Sequence, residues 1–173
     1  GRNQANALQD VLGKRNISKI LSSDFMRARQ TIEKFVRKKN IPCSWSKTLR
    51  ERDFGELKGK FYMDINNSEV FKDSFSPPGG ENLTQFETRI DFAWDEIIKV
   101  SNSLRGDLII VTHGLVIKDF LKRKLFVDKS ISSKYEIVPN TSITIFEPSY
   151  PFEVIEFAST KHLKSENANQ GIA

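Results

Sequence analysis

Apolar positions along the chain switch between two periods, and the switching predicts a succession of helices and strands. Ala5, Leu8, Val11 and Leu12 share one helical face, with Gly13 as a stop. Ile17 to Leu21 then reads as a short strand, and Ser22-Ser23-Asp24 offers helix-capping chemistry to a second helix. That helix carries Met26, Ile32, Phe35 and Val36 inward and ends near Asn40. A further short strand is expected from Pro42 to Trp45. The break at Ser76-Pro77-Pro78-Gly79-Gly80 precedes a long helix opened by Glu81, whose stripe of Leu83, Phe86, Ile90, Ala93, Trp94, Ile97 and Ile98 runs to about Ser103.

The run Leu108-Ile109-Ile110-Val111 reads as a strand buried on both faces, and it ends abruptly at Thr112-His113-Gly114. Beyond it Val116, Phe120, Leu121 and Leu125 return to helical spacing, with Lys118 and Lys122 toward solvent. Ile143 to Glu147 and Glu153 to Phe157 read as two strands joined through Pro148-Ser149-Tyr150-Pro151, and a polar tail begins at Lys164. Strands alternating with helices predict an α/β domain. No repeat, low-complexity block or linker divides it, so residues 1–173 are expected to form one domain.

The chemistry concentrates where strands hand over to helices. In open α/β sheets ligands bind at the carboxyl ends of the strands, where loops converge and a helix amino terminus offers N–H groups to an anion. His113 stands at one such junction; it fits either a ligand group there or a satisfied buried histidine. Arg27 lies in the first turn of the second helix, near the same sheet edge if the strands are parallel. A cation is unfavourable at that end of the helix dipole, so Arg27 points to solvent or meets an anion. The charged loop Leu49 to Gly59 embeds Phe54 and Leu57, which are expected to tuck under the domain.

Composition narrows the partners. With 173 residues, 38% hydrophobic and 28% charged, the chain supports a core without staples. The single Cys43 excludes an internal disulfide, and His113 and His162 lack zinc-like spacing, so no structural metal is expected. No apolar run reaches membrane-spanning length and no secretion pattern opens the sequence, which makes a cytoplasmic location the expectation. The net charge of +5 suits an anionic ligand. Its clusters, Arg37-Lys38-Lys39 and Lys122-Arg123-Lys124, read as solvated helix ends, and no stacking platform or recognition motif supports nucleic-acid binding.

Four motifs in order give the chain a family likeness: Ser22-Ser23-Asp24-Phe25-Met26-Arg27-Ala28-Arg29-Gln30-Thr31, Leu49-Arg50-Glu51-Arg52-Asp53-Phe54-Gly55, Pro77-Pro78-Gly79-Gly80-Glu81 and Val111-Thr112-His113-Gly114. In this order they resemble the histidine phosphatase superfamily, also called the phosphoglycerate-mutase-like family. The likeness is greatest to its fructose-2,6-bisphosphatase-like and cofactor-dependent mutase-like branches. The resemblance implies a three-layer α/β/α fold with a mostly parallel sheet. It also implies phosphoryl transfer from small phosphorylated metabolites through a phosphohistidine, without a cofactor or metal. By the same resemblance, Arg27 grips phosphoryl oxygens, His113 stabilises the charge of the transferring group, Glu51 protonates the leaving oxygen, and the Gly114 N–H adds a donor.

The family's nucleophile sits in an arginine-histidine-glycine motif ending a first strand, and no such motif occurs in this sequence. His113 matches the second pocket histidine, while His162, in a polar context, reads as a surface residue. The resemblance therefore implies a domain lacking its first, central strand, amino-terminally incomplete and inactive alone. The alternative is a truncated relative that binds a phosphorylated ligand or a partner without turnover. In the family that strand lies beside the one ending at His113, and leaving its neighbours' buried N–H and C=O groups dry would cost about 1–3 kcal/mol each. Substrate choice is expected to depend on Lys60 to Ser76 and the helix after Glu81, with Lys58, Lys60 or Lys72 either meeting a second anionic group or staying on the surface.

Overall fold

The computed structural model describes residues 1–59, 72, 74–128 and 138–163. Four helices and five strands are formed there: α1 (Arg2–Leu12), β1 (Ile17–Ser23), α2 (Met26–Lys39), β2 (Cys43–Ser46), α3 (Leu83–Ser101), β3 (Asp107–Val111), α4 (Gly114–Arg123), β4 (Ile143–Phe146) and β5 (Val154–Ser159). The loop between β2 and α3 carries one short 3-10 turn, Gly55–Leu57.

The strands form a parallel sheet in the order β2-β1-β3 and a separate antiparallel pair, β4-β5. Register pairs Ser23 with Ser46 across β1 and β2, and Ser22 with Val111 across β1 and β3. Both partners of β1 run parallel to it, so the carboxyl ends of all three strands meet at one edge.

Successive side chains of a strand face opposite ways, and β1 divides two cores by that rule. Ile20, fully buried, joins Leu8 and Leu12 of α1 and Ile32 and Phe35 of α2 on one face. Leu21 joins Phe86, Ile90, Trp94 and Ile97 of α3 and Val116 and Phe120 of α4 on the other. Ile109 and Val111 of β3 pack toward the first core, Leu108 and Ile110 toward the second. The result is the expected α/β/α sandwich. Phe54 is buried and Leu57 packs against the second core, as the loop pattern predicts.

Several local expectations are corrected. Met26 is 68% exposed, because it begins α2 outside the packed turns. Gly13 ends α1 in right-handed backbone, so the stop does not use glycine's freedom; Asn40 ends α2 in the left-handed region at φ 52°. The Ser22-Ser23-Asp24 segment gives α2 no side-chain cap. Asn82, one residue after Glu81, is the cap of α3, in a reciprocal box with Gln85. His162 is half-buried near Thr141, and burial lowers its pKa against the pull of a Thr141 backbone hydrogen bond. Arg123 is half-buried too, joined to Asp119 and Asp91 at 2.7 Å each instead of lying in solvent. The tail from Lys164 falls outside the described residues, as do Lys60 and most of the segment expected to set substrate choice.

β3 reads as half-buried along Leu108–Val111, where burial on both faces was expected. Its inner edge pairs with β1, and among the described residues its outer edge has no strand partner. That edge opens on a cavity of about 1750 Å³, bordered by Ala5 and Leu8 of α1, by Ile109 and Val111, and by Ile143 and Ile145 of β4. The same cavity is lined at the carboxyl ends of the strands by Arg27, Glu51 and His113.

Candidate active site

His113 is the first non-helical residue before α4 and is 7% exposed. The register of β1 against β3 brings the end of β1 beside it, and the Ser23 hydroxyl lies 2.8 Å from His113 Nε2. Arg27, one residue into α2, donates from Nε to His113 Nδ1 at 3.1 Å. A nitrogen that accepts cannot carry the proton, so this contact assigns the proton to Nε2, which donates to Ser23 Oγ. Burial and then the Arg27 charge push the His113 pKa down to about 4, with Arg89 acting the same way and Asp24 opposing. The imidazole therefore stands neutral near pH 7.

Glu51 is 9% exposed and reaches the cluster from the loop after β2. Its carboxylate accepts from its neighbour's backbone, Arg52 N, at 2.9 Å and from Leu115 N, in the first turn of α4, at 3.2 Å. Burial raises its pKa, and the two N–H donors, Arg27 and Arg89 oppose that rise. The acid thus occupies the α4 amino terminus, where an anion was expected to find backbone N–H groups. Gly114, buried, is the first residue of α4.

The four residues singled out from sequence, Arg27, Glu51, His113 and Gly114, come from three separate stretches and line one cavity. Arg50 and Arg52, flanking Glu51, take other partners. Arg50 makes a double hydrogen bond to Asp24, both contacts 2.6 Å, which holds that carboxyl below its usual range. Arg52 is buried, donating to the Glu81 and Phe75 carbonyls at 3.1 Å each. Lys58 pairs with Asp53 at 2.8 Å, and Lys72 is exposed.

Sequence reasoning missed the parts played by five residues. Ser23 and Asp24 were read as helix caps and instead hold His113 and Arg50. Phe25 packs its ring edge-on to His113 at 5.5 Å, with the Arg27 and Arg50 guanidinium carbons each 5.0 Å from it. Glu81 and Arg89 form an ion pair at 2.7 Å behind the Glu51 loop. The signal for Arg89 is its place on α3 between Phe86 and Ile90, where a long cation beside the apolar stripe must find a partner.

A small acid, a neutral histidine and an arginine gathered at one strand edge can grip a phosphoryl group and exchange a proton with its ester oxygen. The profile of the histidine phosphatase superfamily, branch 1, matches residues 1–157, and the chain belongs to that superfamily. Over 182 residues it is 30% identical to a probable phosphatase of Schizosaccharomyces pombe, covering 100% of this chain and 86% of the relative. A broad-specificity phosphatase of Saccharomyces cerevisiae is 31% identical over 176 residues, covering 94% of this chain and 74% of the relative. Among solved structures, Bacillus stearothermophilus YhfR superposes with a TM-score of 0.72 at 24% identity, over 94% of this chain and 84% of that one, and shares the fold.

Proposed function

We propose that this site binds the phosphoryl group of a small phosphorylated metabolite and serves phosphoryl transfer through a phosphohistidine. The observation that carries the reading is the convergence of Arg27, His113 and Glu51 on one cavity edge. Arg27 presents a planar fork suited to two phosphoryl oxygens. A bound dianion draws the Arg27 fork off His113 Nδ1 and offsets the charge that, after burial, disfavours imidazolium, so Nδ1 gains a proton and His113 stabilises the transferring group. Glu51, protonated more readily because it is buried, passes its proton to the ester oxygen as the nucleophilic nitrogen bonds phosphorus and the P–O bond breaks. Water then attacks the phosphohistidine, Glu51 takes the water proton, and phosphate leaves. The likeness to phosphatases, one of broad specificity, supports a hydrolase of this kind.

The nucleophile is the open element. This sequence has two histidines; His113 is engaged by Arg27 and Ser23, and His162 lies by Thr141. We read the cavity beside β3 as the place of a strand that brings the attacking histidine to the Arg27 end. Handedness supports this. β1 reaches β2 through α2, α1 packs against α2, and right-handed crossovers on one face must step the same way. A strand feeding α1 therefore belongs on the β3 side of β1, where the free edge and the cavity are. The second reading, a phosphate-binding domain without turnover, is favoured by the same count of histidines.

The test compares hydrolysis of an aryl phosphate, and inorganic phosphate binding, by the 173-residue chain and by a fusion carrying a strand ending in arginine-histidine-glycine ahead of Gly1. Turnover by the fusion alone is expected, abolished by Arg27→Ala or His113→Ala. Phosphate binding by both with turnover by neither establishes the second reading. Turnover by the short chain overturns the assignment of the nucleophile.

A further inference from the structure

Glu51 can act as an acid only if its loop is fixed, and the loop's fastening lies outside the cavity. Arg89 Nη1 donates to the carbonyls of Thr48 and Arg50 at 2.7 and 2.8 Å, and Nη2 to that of Glu51 at 3.4 Å. Three carbonyls on the segment leading into and through Glu51 thus converge on one guanidinium. Its remaining donors grip both oxygens of Glu81 at 2.7 Å, and Glu81 Oε2 in turn accepts from Asp53 N at 2.9 Å. Glu81 N also donates to the Asp53 carbonyl at 2.7 Å. The pair therefore ties both sides of the Glu51 loop to the start of α3. Both side chains are about one-fifth exposed, which leaves their charge-assisted bonds little competed for by water.

We propose that Arg89, held by Glu81, is the positioning residue for Glu51: it clamps the loop backbone so that the Glu51 carboxyl stays against the α4 amino terminus, facing the phosphoryl site. The inference rests on the reading of Glu51 as the proton donor only for its functional meaning; the clamp itself stands on geometry. A lysine at position 89 keeps the charge but has a single nitrogen with three N–H groups, too few for a bidentate carboxylate and the loop carbonyls together.

Amide hydrogen exchange tests it on the chain itself. Leu115 N–H reports where Glu51 sits, since Glu51 is its acceptor and Arg89 does not touch it. Ile117 N–H, bonded to the His113 carbonyl, serves as the control on the same helix. Arg89→Lys is expected to speed Leu115 exchange by at least about tenfold, toward the value in Glu51→Ala, with Ile117 unchanged. Unchanged Leu115 protection in the folded variant overturns the proposal; if Arg89→Lys fails to fold, Glu81→Gln is read in the same way. Phosphate binding and aryl phosphate turnover by the fusion carrying the arginine-histidine-glycine strand are measured alongside, with and without Arg89→Lys. Their absence from the unsubstituted fusion would sink the phosphatase reading without touching the exchange result, and loss of Leu115 protection with intact phosphate binding would establish positioning distinct from anion binding.

Discussion

At the scale of single residues the site is governed by which proton sits where. Arg27 Nε facing His113 Nδ1 forces the neutral tautomer with its proton toward Ser23, and the depressed pKa follows from burial with a cation alongside. The His113 ring is expected to titrate near pH 4 in the free protein by NMR, with His162→Gln removing the other histidine signal. Saturating inorganic phosphate should move that midpoint upward, because an anion beside Arg27 favours imidazolium. A midpoint near 6.5 with and without phosphate would remove His113 from the pocket.

The same depression has a consequence for stability. The unfolded chain takes up the His113 proton near 6.5, the folded chain near 4. Between those values the unfolded state binds more protons, so stability falls as pH drops from about 6.5 to about 4. His113→Gln should flatten that part of the urea midpoint against pH profile.

Elements meet the site through their ends and through the loop that carries Glu51. The loop crosses the Pro77-Pro78-Gly79-Gly80 turn backbone against backbone. A Cβ at Gly80 would collide with the Asp53 carbonyl, and one at Gly55, where φ is 52°, with the Pro78 carbonyl. Gly80→Ala is therefore expected to cost about 1–3 kcal/mol in urea denaturation and to disturb Leu115 exchange as well, since it pushes on the Glu51 loop. Asn82→Ala, two residues on, removes the α3 cap and should cost about 1 kcal/mol without altering the Leu115 amide. Equal exchange behaviour in the two variants would show that the loop and the turn are not mechanically linked.

The motif residues Arg50 and Arg52 show how element packing reassigns side chains that a sequence presents as equivalent. Both flank Glu51, yet one is drawn to Asp24 at the start of α2 and the other sinks among Phe54, Phe75 and Phe86.

For the whole molecule, β1 is the shared wall of two cores, with Ile20 on one side and Leu21 on the other. Trp45 packs against the first core and Trp94 lies in the second. A sandwich joined through one strand should unfold as a unit, so in each single-tryptophan version, Trp45→Phe or Trp94→Phe, the fluorescence midpoint in urea is expected to coincide with the far-ultraviolet circular dichroism midpoint of the same variant. Ile20→Ala should lower both midpoints together, by about 2–5 kcal/mol of stability. Separate midpoints would mean that the two faces hold independently. None of the helices among the described residues is long and apolar enough to cross a membrane.

The sequence by itself determined the alternation of helices and strands, the apolar stripes that became the two cores, and the motif order that places the chain in its superfamily. It also carried the residue types of the site, because arginine, glutamate and histidine at strand ends keep their chemistry whatever surrounds them. Tertiary structure decided the rest. The pairing of Ser22 with Val111 set Ser23 on His113 in place of the helix-capping role its local sequence offers. The approach of α3 chose Arg89, a residue eight positions from Glu81 and thirty-eight from Glu51, as the clamp on the acid. Such choices depend on contacts between segments far apart in the chain, and local periodicity, which reports only which face of an element is buried, carries no information about them.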